Sequence, residues 1–167
     1  VEETEVAKTP ATALRETIER ELSGLRAITE EQAAAPPARE GAWSRKQELG
    51  HLVSSAVNNH VRFVRGTLEE GFTGPGYDQD GWVKLHDFNG VPWKALVEFW
   101  HRYNSLLAHL VDRIPEARLD ARCLVGSNPP VTLGFLIEDY RLHMQHHLDH
   151  ILGRETVTTY PGAALPA

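Results

Sequence analysis

Between Pro92 and Pro115 apolar side chains return at Leu96, Phe99, Trp100, Tyr103, Leu106, Leu107, Leu110, Val111 and Ile114. Steps of three and four residues place all of them on one wide stripe of an α-helix, which must be covered by other elements. Three more stretches carry the same period. Thr9 before Pro10 reads as an N-cap followed by the proline-tolerant first helical position, and Leu14, Ile18, Leu22 and Leu25 follow, predicting a helix over about 10–28. Thr29 with Gln32 starts a short helical turn that Pro36-Pro37 must stop. Ser44 with Gln47 forms a capping box that opens a second long helix reaching about Leu68. A last helix is expected from about Thr132 to Leu152, with Gly153 as its stop.

Four long amphipathic helices without a credible run of paired strands predict an all-α fold, a four-helix bundle. The segment 70–92 between the second and third long helices is dense in Gly, Asp and aromatics, which predicts a long loop. A connection of that length has room to cross the bundle. The expected organisation is one domain over residues 1–155 and a C-terminal tail, 156–167, that has no packing pattern.

With a net charge of −6 and no Lys/Arg stripe, the chain has no electrostatic footprint for nucleic acid. No stretch approaches the ~20 apolar residues of a membrane span. The opening run VEETEVAKT is acidic and polar, unlike an export signal, and the lone Cys123 cannot form an internal disulfide. The expected location is cytoplasmic.

Nine histidines are present, and four fall in LHMQHHLDHIL on the last helix. Residues four apart on a helix lie one turn above each other, so two imidazoles can reach one metal ion. Two such pairs exist, His143 with His147 and His146 with His150. At 100° per residue the apolar arc of this helix is centred roughly 40° from His147 and roughly 80° from His143. His150 and His146 lie farther round, at roughly 100° and 140°. The first pair is therefore better aimed into the bundle. A third ligand must come from a facing helix, and the second long helix offers His51 and His60. Periodicity leaves that choice open: His60 sits in the apolar arc, whereas His51 shares a polar arc with Ser55, Asn58 and Arg62.

The stretch WSRKQELGHLVSSAVNNHVRF, with Trp43, Ser44, Gly50 and His51, resembles the second-helix signature of the DinB-like superfamily, particularly its YfiT-type metal-dependent hydrolases. DYRLHMQHHLDHI resembles that family's last-helix motif. The likeness runs from about Gly41 to Leu152 and includes YDQDGW of the long loop. It implies a four-helix bundle, frequently homodimeric, with one divalent transition metal ion, zinc or nickel, on His51, His143 and His147. His146 and His150 then read as solvent-facing or supporting residues and His60 as a packed histidine. His86, His101 and His109 read as loop and surface residues. Asp139, one turn before His143, is a candidate acceptor for that ring's second N–H, or a plain solvated carboxylate. Tyr140, Asn58, Asn59 and Arg62 are candidate pocket-lining residues, or ordinary core and surface.

HMQHH lacks the glutamate that a zincin uses as general base, and no phosphate-binding or nucleophile-elbow motif occurs. Three neutral imidazoles leave an ion its charge and open positions. Such an ion lowers the pKa of a bound water to ~7, or favours the thiolate of a bound thiol. The resemblance covers both chemistries. The leading expectation is a transferase that attaches a low-molecular-weight thiol to an electrophilic small molecule. A hydrolase is the nearest rival, and a non-catalytic stress or interaction protein with a structural metal is the third reading. No catalytic residue is identifiable from spacing.

Overall fold

The computed structural model describes residues 7–160, so the first six residues and the tail beyond 160 lie outside the description. Helices occupy Pro10–Ala27 (α1), Glu30–Ala34 (α2), Arg45–Leu68 (α3), Gln79–His86 (α4), Trp93–Asp112 (α5) and Leu133–Ile151 (α6). Three strands, Phe72–Gly74 (β1), Arg122–Val125 (β2) and Val131–Thr132 (β3), form a small sheet. The expected four-helix bundle is made by α1, α3, α5 and α6.

The starts lie where capping chemistry puts them. Thr9 Oγ1 accepts from Thr12 N at 3.2 Å, and Thr132 Oγ1 from Phe135 N at 3.0 Å. Ser44 and Gln47 exchange both bonds of a capping box, at 3.2 and 2.9 Å, as do Thr29 and Gln32. These contacts satisfy donors that a helix start otherwise leaves bare. Along α5 the side chains of Leu96, Val97, Trp100, Leu107 and Val111 are buried, whereas Phe99 and Leu106 are 54% and 51% exposed. The apolar stripe is thus wider than the face the bundle covers.

Around the bundle α1 packs on α5 and α6, and α3 packs on the same two helices. The long helices that follow one another as first and second therefore stand diagonally, as do the third and fourth. The crossing connections are those through α2 and through β2 and β3. The long 70–92 segment does not cross, because α3 and α5 on either side of it are direct neighbours.

Nor is that segment wholly irregular. Asp78 Oδ1 accepts from Gly81 N at 2.9 Å and caps α4, which buries Val83. β1 pairs in parallel with β2, Phe72 opposite Cys123, and β2 pairs antiparallel with β3, Cys123 opposite Val131. Strands of two to four residues show no readable alternation, and this pairing joins positions some fifty residues apart. No described helix is long and apolar enough to cross a membrane.

The 88–90 turn is fastened to the start of α3. Ser44 Oγ donates to Asn89 Oδ1 at 2.6 Å, and the buried Lys46 ammonium bonds Asn89 O and pairs with Glu30. Phe88 lies flat on Gly50, where a Cβ would come within 2.2 Å of the ring. Alanine in a helix gains ~1 kcal/mol over glycine, but forcing a methyl into a filled site costs roughly 1–3 kcal/mol. Gly50→Ala is accordingly expected to lower unfolding free energy, by up to about 2 kcal/mol, in urea titrations. A gain in stability would mean that Phe88 is free to move aside.

Candidate metal centre

Where the first turns of α3 face the middle of α6, three imidazoles converge. His143 Nε2 stands 3.1 Å from His51 Nε2 and 3.1 Å from His147 Nε2. One ring nitrogen from each of the three falls within 4.8 Å of the others. His143 and His147 are placed by their spacing of four on α6; His51 reaches them only because α3 and α6 are neighbours. Trp43 covers the group, its ring centroid 4.8 Å from that of His51 and 6.4 Å from that of His147.

Burial decides the protonation of the cluster. His51 is 1% exposed, and burial, with the neighbouring His147, pulls its pKa down to about 3. Burial drives His143 well below its ordinary value, followed by the proximity of His147, His51 and His146. Both rings are therefore neutral near pH 7, the form in which imidazole offers a lone pair.

Protons alone satisfy this arrangement poorly. Glu48 Oε1 lies 2.9 Å from His147 Nδ1 and accepts its proton, so that the neutral form of the His147 ring would present a bare Nε2. If His143 carries its proton on Nε2, that one proton is split between two neighbours. His51 then holds its own on Nδ1, which is buried and has no partner among the described residues. If His51 donates from Nε2 instead, bare lone pairs of His143 and His147 face each other. A shared cation removes the conflict. Nitrogens about 2.1 Å from a common ion stand about 3.0–3.4 Å apart for angles between square and tetrahedral, so a 3.1 Å spacing suits one. Three imidazoles are a donor set for zinc, nickel, copper or iron.

Glu48 is the residue that sequence reading missed. Its Oε1 also accepts from His150 Nδ1 at 3.0 Å, so one carboxylate of α3 holds two histidines of α6. The available signals were weak: a position three before His51, on the same helix face, and an acid in a first turn, where the helix dipole favours it. Asp139, the carboxylate singled out by spacing, lines an adjoining cavity, as His143 does.

The remaining histidines separate cleanly. His60 Nδ1 pairs with Tyr103 Oη at 2.9 Å, away from the cluster. His146 Nδ1 meets Thr158 O at 3.2 Å, and His150 is exposed beyond Glu48. His86 ends α4, stacked on Phe88; His101 faces Glu19 at 3.1 Å; His109 is exposed. The start of the tail comes back over α6, with the Tyr160 ring edge-on to His143 at 5.1 Å and to His146 at 5.4 Å.

A cavity of about 590 Å³ opens beside His143 and runs along the α3–α6 seam, with Ser55, Asn59 and Arg62 on one wall and Leu136, Asp139 and Tyr140 on the other. The Tyr140 hydroxyl is anchored on buried Asn104, not free in the cavity. Asn58 turns its amide onto Ser54 O at 2.9 Å.

Fold and cluster together define a helical-bundle protein with a three-histidine donor set beside a small-molecule-sized cavity. The chain belongs to the DinB superfamily, whose sequence profile matches residues 13–151. Two proteins of Oceanobacillus iheyensis are 27% identical over 113 residues and 33% identical over 117, and YfiT of Bacillus subtilis is 29% identical over 124. All three carry the name "Putative metal-dependent hydrolase". The matches cover 68–69% of this chain and 65% of each relative, just under two thirds of the relatives' length. The solved structure of YfiT, described as having an unusual four-helix bundle topology, superposes with a TM-score of 0.77 at 20% identity, covering 92% of this chain and 90% of that one. The mycothiol-dependent maleylpyruvate isomerase superposes at 0.69 and 11% identity, over 94% of this chain and 63% of the isomerase.

The depressed His51 pKa makes stability depend on pH. Between about pH 6.5, where the unfolded chain's histidine titrates, and about 3, where the folded one does, the unfolded state binds a proton that the folded state refuses. Stability of the metal-free protein should therefore fall on acidification through this window, by up to roughly 1.4 kcal/mol per pH unit for this residue. In urea titrations with chelator from pH 7 to 4, His51→Gln should show a shallower decline than wild type. Equal slopes would remove His51 as the cause.

Proposed function

We propose that the chain binds one divalent transition metal ion, zinc or nickel, on His51, His143 and His147, and acts in the cytoplasm as a metal-dependent enzyme on a small molecule. The observation that carries this reading is the convergence of ring nitrogens from three histidines, with 3.1 Å contacts from His143 to the other two, beside an open cavity. When bound, such an ion keeps its double charge and supplies a nucleophile by lowering the pKa of a thiol or a water. The chain's own residues do the rest. Glu48 orients His147, Trp43 keeps bulk water off His51, and the cavity beside His143 receives the substrate.

Between the two chemistries we favour transfer of a low-molecular-weight thiol to an electrophile. Glu48, the carboxylate nearest the cluster, is engaged by two Nδ1 atoms and is poorly placed to serve as a free general base. The fold likeness to a mycothiol-dependent isomerase supports the thiol reading. Hydrolysis is the second reading, supported by the names of the relatives.

Elemental analysis after dialysis is expected to find about one equivalent of zinc or nickel in wild type and little in His51→Ala and His147→Ala. Variants that keep the ion would overturn the ligand set. The loaded wild type should then turn over electrophiles only with a low-molecular-weight thiol present. Ester or amide turnover without thiol would decide for hydrolysis.

Glu48→Gln keeps the shape of the side chain and loses the charged acceptor. Metal affinity is expected to drop about 10- to 100-fold, as when a partner that orients a ligating histidine is lost. Unchanged affinity in a competition titration with a chromogenic chelator would show that Glu48 does not support the ligands.

A further inference from the structure

The stripe of α3 that begins at His51 continues through Ser55 and Asn59 to Arg62, and these last three face the cavity. At 1.5 Å per residue the backbone levels of His51 and Arg62 stand roughly 16 Å apart. The gap closes somewhat because helical side chains lean toward the N-terminus, here toward the histidines. The cavity thus has a cationic fork at one end and His143 at the other. Its volume of about 590 Å³ suits a small organic molecule.

Arg62 is under-employed for a half-buried guanidinium. It donates to Asn59 Oδ1 at 3.5 Å and to Pro75 O at 3.4 Å, both long for a charged donor, and lies 5.9 Å from the centroid of the Tyr77 ring. Among the described residues it enters no ion pair within 4.0 Å, and the carboxylate that acts on it through space is Asp139, which is itself engaged. Arg118, Arg141 and Arg154 each hold a glutamate at 2.5–3.0 Å. Burial pulls the Arg62 pKa down, with Tyr77 and Asp139 offsetting only part of it. A guanidinium so placed lacks the bidentate oxyanion its geometry fits best.

We propose that Arg62 is the anchor for a single carboxylate on the molecule that fills this cavity, holding it so that its other end reaches the histidine cluster. The reacting end of this proposal rests on the metal reading above; the anchoring end does not. Other charges around the cavity narrow the ligand class. Asp139 lies one turn below His143 on α6, and Asp78 and Asp80 sit at the exposed rim, Asp78 using Oδ1 to cap α4. Three acids beside one arginine repel a polyanion, so phosphate-rich ligands are disfavoured. Val125, Val131, Phe135 and Leu136 supply apolar wall between the ends. The ligand is then a medium-length monocarboxylate with a largely apolar or neutral body.

Two pairs of probes test this by calorimetry on the full chain: 6-mercaptohexanoate against 6-mercaptohexanamide with zinc-loaded protein, and octanoate against octanamide with metal-free protein. Wild type is expected to prefer each carboxylate about tenfold or more, as for a charge-assisted bidentate contact. The preference should fall to near one in Arg62→Met and be partly kept in Arg62→Lys, with zinc content and thermal unfolding unchanged. A carboxylate that ligates the ion itself would keep its advantage in Arg62→Met, and that result overturns the proposal. So does equal binding of acid and amide by wild type, or no binding of either at millimolar concentration. If zinc is not taken up, the metal reading falls, and the octanoate pair alone decides for or against Arg62.

Discussion

Imidazole nitrogens packed against one another in a dry corner lose the hydrogen bonds of water, and that loss is tolerable only if their lone pairs find a common partner. His51, His143 and His147 are in this position, with single protons unable to satisfy both 3.1 Å contacts. Much of the surrounding structure serves to hold the three rings there. Glu48 fixes the orientation of His147, Trp43 closes the face over His51, and Lys46 and Ser44 tie the 88–90 turn to the start of the helix that carries them. Phe88 can reach that helix because Gly50 has no side chain. The residues of the signature around His51 thus share one task, which is to bury a polar group in a fixed direction.

The order of helices around the bundle makes the convergence possible. A simple up-and-down circuit would set consecutive long helices side by side, whereas here α1 and α3 stand diagonally and α3 meets α6, the last helix, directly. The small sheet belongs to the same solution. β2 and β3 carry the chain from the end of α5 to the start of α6, and β1 pairs with β2 to fasten the end of α3 nearby. Arg118 bonds the carbonyls of Gly66 and Glu69 and closes that corner.

The polar face of α3 has the clearest functional consequence. Ser55, Asn59 and Arg62 continue the line of His51 and make one wall of the cavity, so the helix turns a charged and amide-bearing stripe inward. Burying such groups costs free energy in a core built for stability alone. A ligand cavity that runs from a histidine cluster to a guanidinium gives them a use that packing does not.

The existence, starts and stops of the four long helices were legible in the sequence because they are set locally, an N-cap reaching three residues and an apolar stripe repeating every turn, whereas the short α4 inside the 70–92 segment was read as loop. His143 and His147 were legible for the same reason, since a spacing of four on one helix fixes their relation. The choice between His51 and His60 was not, because it depends on which face of α3 meets α6. The polar arc of α3, which periodicity left open, lies on the inside. Glu48, the strands of the small sheet and the diagonal order of the helices were hidden likewise. Each is a meeting of segments far apart in the chain, and only the packing of one helix against another brings them within reach.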